Sequence, residues 1–279
     1  MNAILSVAAS SIREHSRRKL LAFFMLASLA LMLVFIVIVL RAEDVGGTFG
    51  TPTQFVNTIS SGVLGLFALI VAIAVSMGNV GQPFTNGEAM LIVSRPVARW
   101  QFVAGKLIAS AAIILATCVV LGVEMQVVLL AAGDGISKIL WLHWLVEGFN
   151  LIVIASITTL LSTLISLPVV VAVVTVIVNQ IVGGVGTLYR LVVLDVFGGF
   201  IGKVIEVVWW ITPKYLTSPL VEEQMRTIGA SESSGPALTG PNPSDMLVPN
   251  SSGLVAWAIA YLAVVVVLSG VLAERKELR

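Results

Sequence analysis

Long apolar runs, cut by short polar breaks, set the pattern of this chain. Leu20–Leu40 is an uncharged stretch of 21 residues, and about 20 apolar residues suffice to cross hydrocarbon as a helix. Comparable runs follow at about 62–80, 107–131 and 254–273. Between them, Gly148–Tyr189 holds no charge over 42 residues, enough for two crossings. Pro168 supplies the break, since proline removes a helix donor and clashes with the preceding turn. The fourth and fifth spans are therefore expected at 149–167 and 169–188. The pattern predicts an all-α integral membrane protein with six spans and one transmembrane domain covering 1–279.

The stretches outside the spans have their own character. In 1–19, Ile4, Val7, Ala8, Ser11 and Ile12 recur at helical spacing, which suits a helix lying in the membrane interface. The run Arg190–Trp210 is apolar but carries Arg190, Asp195, Lys203 and Glu206. It is expected to form short helices dipping into the outer leaflet, with Trp209 and Trp210 at the interface. Gly229–Ser252 is rich in Gly, Ser and Pro and reads as an exposed loop. The whole of 190–253 is placed outside the cytoplasm.

Composition agrees with the pattern. Of 279 residues, 58% are hydrophobic and 11% charged, against about 25% charged in soluble domains. A net charge of +1 leaves no basic face for nucleic acid. Cys118 is the only cysteine, and His15 and His143 are the only histidines, so a Cys/His metal cluster is not expected. Ten of the 16 basic residues fall on one side if the N-terminus is inside, which the positive-inside rule reads as both termini cytoplasmic. Leu20–Leu40 is longer than a signal-peptide core of about 7–15 residues, so it is expected to stay as an anchor in the cell membrane.

Catalytic motifs are missing. No G-x-S-x-G, H-E-x-x-H or paired intramembrane carboxylate occurs. Gly198-Gly199-Phe200-Ile201-Gly202-Lys203-Val204 falls short of a phosphate-binding loop by one residue between its glycines. It also has valine where a hydroxyl should hold magnesium. The chain is not expected to be an enzyme.

The segment 84–106 between spans two and three holds the most information. Thr85 and Glu88 have capping-box spacing, which predicts a helix through Met90, Leu91, Ile92 and Val93. It should stop at Arg95, because the residue before proline is pushed out of the helical region. Pro96 is then expected to open the next helix, continuing through Arg99 and Lys106 into span three.

Here the chain resembles the permease subunits of type-2 ABC transporters, the exporter-like class. The resemblance rests on Ile92-Val93-Ser94-Arg95-Pro96-Val97-Ala98-Arg99 and Gly105-Lys106, on the basic lead Arg17-Arg18-Lys19-Leu20-Leu21, and on the six-span layout. It implies that the 84–106 helix is a coupling helix docked on a separate ATPase subunit. Glu88, Arg95 and Arg99 would then be polar contacts, and Met90 and Leu91 part of the apolar face. It further implies a second permease subunit, as homo- or heterodimer, surrounding the path. No cofactor is implied in this chain, because ATP and magnesium would sit on the ATPase. An extracytoplasmic accessory protein is a candidate partner for 229–252. On the plainer alternative, Arg95, Arg99 and Lys106 set topology and meet lipid phosphates.

Polar groups within spans are functional candidates by default. Counting along span three puts Glu124 toward the outer leaflet, and Asn179 and Gln180 lie in the middle of span five. These three are candidates for the path or the dimer seam, the alternative being interhelical hydrogen bonds. The rivals to an ATP-driven permease are an ion-gradient-driven secondary transporter and a non-transporting membrane scaffold.

Overall fold

The computed structural model describes residues 3–16, 19–42, 52–80, 98–193, 199–218, 220 and 252–276. Among them there is no strand. Six helical segments are long and apolar enough to cross a membrane: Leu21–Arg41, Thr53–Ser76, Arg99–Ala131, Lys138–Leu164, Pro168–Gly186 and Gly253–Ala273. The chain is an all-α, multi-pass membrane protein.

In chain order the helices are α1 (Ala3–Ser16), α2 (Lys19–Ala42), α3 (Pro52–Ile59), α4 (Gly65–Ser76), α5 (Arg99–Ala131), α6 (Lys138–Leu164), α7 (Pro168–Val193), α8 (Gly199–Ile211) and α9 (Ser252–Lys276). A π-turn at Ser60–Leu64 joins α3 to α4, so the second span is one continuous helical run over Thr53–Ser76. Helix α6 is the centre: it packs against α4, α5, α7 and α9. The main core joins Phe35, Leu64, Ala72, Ile114, Leu121, Met125, Trp144 and Leu151. Small residues set the closest approach. A methyl placed on Gly148 would meet Leu115 Cδ2 at 3.0 Å and Cys118 Sγ at 3.5 Å, which is why α5 and α6 lie so near each other.

Two spans begin about ten residues earlier than the hydropathy pattern predicts. The second starts at Thr53 rather than 62, and the fourth at Lys138 rather than 149. The polar residues that seem to mark loops there are absorbed by hydrogen bonds. Thr58 and Ser61 donate to the carbonyls of Gln54 and Asn57 at 2.9 Å, and Thr53 donates to Asp134 at 2.7 Å. Ser137 caps α6, accepting from the Leu140 N–H at 3.3 Å. At 33 residues, α5 is about 50 Å long. That exceeds the ~30 Å hydrocarbon layer, so this rod has length to spare beyond it.

Helix α1 packs along the start of α5. It lies on protein, and its buried face is Ala8, Ser11 and His15, with Ile12 exposed. A methyl on Gly105 of α5 would come within 2.8 Å of Val7 Cβ, so glycine lets the two helices touch. The start of α5 is also later than expected. Ala98 is extended (φ −63°, ψ 140°), and its N–H donates to Gln101 Oε1 at 3.2 Å. This cap sets the first turn at Arg99 rather than at Pro96.

Among the described residues between spans five and six, α8 is a 13-residue helix, too short to cross. It stacks on α7 through Trp209 and Tyr189, whose ring centroids are 4.7 Å apart. The chain goes deeper afterwards. Residues 212–218 form an irregular strap that reaches Asn150, twelve residues (~18 Å) from the N-terminal end of α6.

Candidate functional site

Two groups of side chains stand out, one at each end of the bundle. The first lies where α1 meets the ends of α4 and α5. Lys106 Nζ sits 3.1 Å from Glu14 Oε2, tying α5 to α1. His15, buried in α1, contacts its own Ser11 carbonyl at 2.9 Å and the Val75 carbonyl of α4 at 3.1 Å. Arg99, half-buried, is the first residue of α5. Glu88, Met90, Leu91 and Arg95 lie outside the described residues. What is described is therefore the frame from which the 81–97 segment hangs, and that frame is braced at both of its ends.

The second group surrounds the strap. Asn150 holds the backbone of Leu216 by two bonds: its amide donates to the carbonyl at 2.9 Å, and its oxygen accepts the N–H at 2.8 Å. Backbone outside a regular helix is tolerated at membrane depth only where protein groups satisfy it, and Asn150 does this for Leu216. Tyr215 donates to Asn179 Oδ1 of α7 at 2.9 Å. His143 of α6 hydrogen-bonds with Ser218, and Glu147 lies beside Asn150 and Tyr215. Burial pushes the Tyr215 phenol above its usual range, with Tyr261 and Glu147 adding to the effect. A cleft of about 120 Å³ opens here, lined in part by Val182, Gly183, Gly186, Trp209, Tyr215 and Leu216.

Lys214 completes this group. It is 3% exposed, and its ammonium stands 4.0 Å from the ring centroid of Trp210, 4.9 Å from Trp209 and 5.7 Å from Trp257. Three aromatic faces replace water around the charge. Trp257 belongs to α9, so the cage fastens the strap to the last span. Burial pushes the Lys214 ammonium below its ordinary value.

The three intramembrane candidates are not brought to one point. Glu124 is buried and accepts from Ser28 of α2 at 3.0 Å, while its second oxygen has no partner. Ser28 lies a third of the way along Leu21–Arg41, and Glu124 is seven residues from the C-terminal end of α5. Asn179 faces the strap. Gln180, its neighbour, is exposed on the outside of α7. The hydroxyls of Ser156, Thr158 and Ser162 bond back to carbonyls of α6 at 2.7–2.8 Å and do not bridge helices. Thr159 does bridge, accepting from Asn79, which also donates to Ser110.

The pattern of the sequence missed His143, Glu147, Asn150 and Lys214. The first three precede or border the expected fourth span, where the Glu147 charge looks like a loop. One signal was present: His143, Glu147 and Asn150 are spaced i, i+4, i+7 and so share one helical face. Among the described residues no three His, Cys, Asp or Glu side chains are grouped to hold a metal. No model of a known protein family matches the chain, and no curated protein sequence matches it.

Proposed function

We propose that this chain is the membrane-spanning permease subunit of an ATP-driven transporter of the type-2 ABC, exporter-like class. It works as a dimer in the cell membrane with both termini cytoplasmic, and ATP hydrolysis takes place on a separate subunit. The observation that carries the reading is the bracing of the frame around 81–97. Gly105 against Val7, Lys106 on Glu14 and His15 on Val75 lock the end of α4 and the start of α5 to one helix. A loop that merely joins two spans needs no such brace. A loop that receives force from a partner does, because a push on 84–106 then moves α4 and α5 as rigid rods. The sequence Ser94-Arg95-Pro96-Val97-Ala98-Arg99 supplies the resemblance, and Glu88, Met90, Leu91, Arg95 and Arg99 the contacts with the ATPase.

The test is purification with natural partners, followed by ATP hydrolysis assays with and without Arg95→Glu/Arg99→Glu. The reading expects a co-purifying ATPase whose stimulation by the permease falls about tenfold or more in the double variant. If no ATPase accompanies the protein and the double variant behaves as wild type, the reading fails. A second reading, an ion-gradient-driven transporter, is favoured by one observation: Glu124 is buried within the bundle with one oxygen unpartnered. Under that reading Glu124→Gln abolishes transport while Arg95→Glu/Arg99→Glu leaves it intact.

A further inference from the structure

Hydrogen-bond donors collect beside the strap without acceptors. Lys214 carries three N–H groups, yet its ammonium meets ring faces: Trp210 at 4.0 Å, Trp209 at 4.9 Å and Trp257 at 5.7 Å. Among the described residues no carboxylate, carbonyl or hydroxyl lies within hydrogen-bond distance of it. Trp257 adds a fourth donor, because its Nε1–H is buried and has no partner among the described residues. Ring faces offset a positive charge, but they leave these N–H groups without an oxygen. A cation and four donors on two touching side chains suit an anion with more than one acceptor oxygen.

The setting is that of a lipid surface. Trp257 is the fifth residue of the apolar run Gly253–Ala273, about 6 Å along its helix, a depth at which tryptophan marks the boundary between hydrocarbon and headgroups. Helix α8 turns Phe200, Ile201, Val207 and Ile211 outward, a surface made for lipid. The cleft of about 120 Å³ adjoins the cage. Trp209 belongs to both, Pro213 and Tyr215 line it on either side of Lys214 in the chain, and Val182, Gly183 and Leu254 add an apolar wall. A phosphate with an apolar tail fits the two parts together. Its headgroup should carry a net negative charge. Aromatic cages hold quaternary ammonium groups such as choline, but lysine already fills this one, so a choline would meet a like charge where it seeks ring faces.

We propose that Lys214 and Trp257, with the cleft beside them, form a binding site for one anionic phospholipid. Its phosphate enters from the cleft and accepts from the Lys214 ammonium and the Trp257 Nε1–H, and the start of an acyl chain lies along Val182 and Leu254. Basic residues at a membrane boundary attract such headgroups in general. This ammonium differs from a surface lysine in being 3% exposed and held between rings, so it offers a fixed position to the phosphate. The lipid then joins the strap to α9 at the point where the cage already holds them. The site stands on its own geometry and does not depend on the transport reading.

The experiment uses the full-length protein. Native mass spectrometry of the detergent-solubilised chain, titrated with phosphatidylglycerol, phosphatidylcholine or inorganic phosphate, counts what binds. The first phosphatidylglycerol should bind about tenfold more tightly than phosphatidylcholine, the scale of a charge-assisted hydrogen bond, and inorganic phosphate should not displace it. Lys214→Met should erase this preference and Lys214→Arg should keep it. Trp257→Phe, which keeps a ring and loses the N–H, should weaken binding about fivefold, the scale of one ordinary hydrogen bond. Glu222→Gln/Glu223→Gln asks whether a carboxylate eight or nine residues along the chain takes the ammonium instead, and should change nothing. Equal binding of the two lipids, displacement by inorganic phosphate, a preference that survives Lys214→Met, or tighter binding in the Glu222/Glu223 variant overturns the site. A second readout needs no variant. Amine labelling in nanodiscs of either lipid compares Lys214 with Lys203, which is exposed on α8. The ratio of Lys214 to Lys203 labelling should be about tenfold lower in phosphatidylglycerol, and an equal ratio in both lipids sinks the proposal even where no variant folds.

Discussion

Helices α6 and α7 follow each other across a three-residue break, are similar in length and are both strongly apolar, yet they do opposite things. Of the most apolar 18-residue window in α6, 67% is buried, against 17% in α7. The interior helix carries the polar load: His143, Asn150, Ser156, Thr158, Thr159, Ser162 and Thr163 are all buried. The peripheral helix turns Val169, Val173, Val176, Ile177 and Ile181 outward. In lipid an apolar surface costs nothing, so hydrophobicity does not draw side chains inward as it does in water. Beyond the hydroxyls that α6 satisfies on its own carbonyls, what draws it to the centre is His143, Asn150 and Thr159, whose partners Ser218, Leu216 and Asn79 lie on other segments. The difference between the two helices can be broken or sharpened by substitution at matched positions.

The largest effect is expected at Asn150. Replacing it with Leu leaves both the N–H and the C=O of Leu216 without partners, at a cost of about 3 kcal/mol in stability. Equilibrium unfolding in mixed micelles measures this. A loss below about 1 kcal/mol, the worth of a single ordinary hydrogen bond, would mean that the strap is held by its other contacts, and Asn150 would lose its special place.

A matched glycine pair comes next. Gly148→Val puts side-chain atoms where Leu115 and Cys118 already stand, and overpacking of this kind costs about 2 kcal/mol. A Cβ placed on Gly184 of α7 meets nothing within 4 Å, so the single subunit should tolerate Gly184→Val or gain a few tenths of a kcal/mol, about what helix propensity allows. Equal losses at both positions would erase the distinction between interior and periphery.

How much of this was legible beforehand follows from the same physics. Apolar runs show in sequence because lipid-facing positions admit little else, and α2, α7 and α9 are found within a few residues of expectation. Helices α3 and α6 begin inside stretches that look like loops, because their polar residues are satisfied by tertiary contacts invisible to local pattern. Thr53 needs Asp134, 81 residues away, and Asn150 needs Leu216, 66 residues away. The resemblance in 84–106 drew attention to the segment between α4 and α5. Nothing in the local sequence could say that α1 would brace it, since the relevant fit, Gly105 against Val7, is a matter of shape between distant segments. The strap was hidden for the same reason. Its residues, Thr212–Ser218, carry no helical or strand period, and their depth is set by Asn150 and His143.

Tyr215 gives a smaller effect and a sign that can be checked. Tyr215→Phe removes the bond to Asn179, worth about 1 kcal/mol near neutral pH. The fold holds the phenol proton more tightly than the unfolded chain does. Above about pH 10, the ordinary tyrosine value, the unfolded chain therefore sheds its proton first, and wild-type stability falls as pH rises. The Phe variant lacks this loss, so the gap between the two proteins should narrow in alkali. A gap that stays constant would place Tyr215 in contact with water.

A small change in fold stability is also expected at Gln180, and it says most about what covers α7. Gln180 is exposed in the middle of an apolar helix, and Gly183 and Gly184, three and four residues on, are exposed beside it on the same side. Its neighbour Asn179 is already engaged with Tyr215, so the two amides serve different surfaces. Gln180→Leu removes a polar group from the outside of the subunit and should change unfolding by no more than about 0.5 kcal/mol. If a second subunit packs on this face, the lost interhelical hydrogen bond, about 0.6 kcal/mol, lowers the dimer association constant about threefold. Single-molecule photobleaching in dilute bilayers can read that difference. A stability change above about 1 kcal/mol, beyond the ordinary range for an outward-facing position, would put Gln180 inside the fold. An unchanged association constant would leave Gln180 facing lipid.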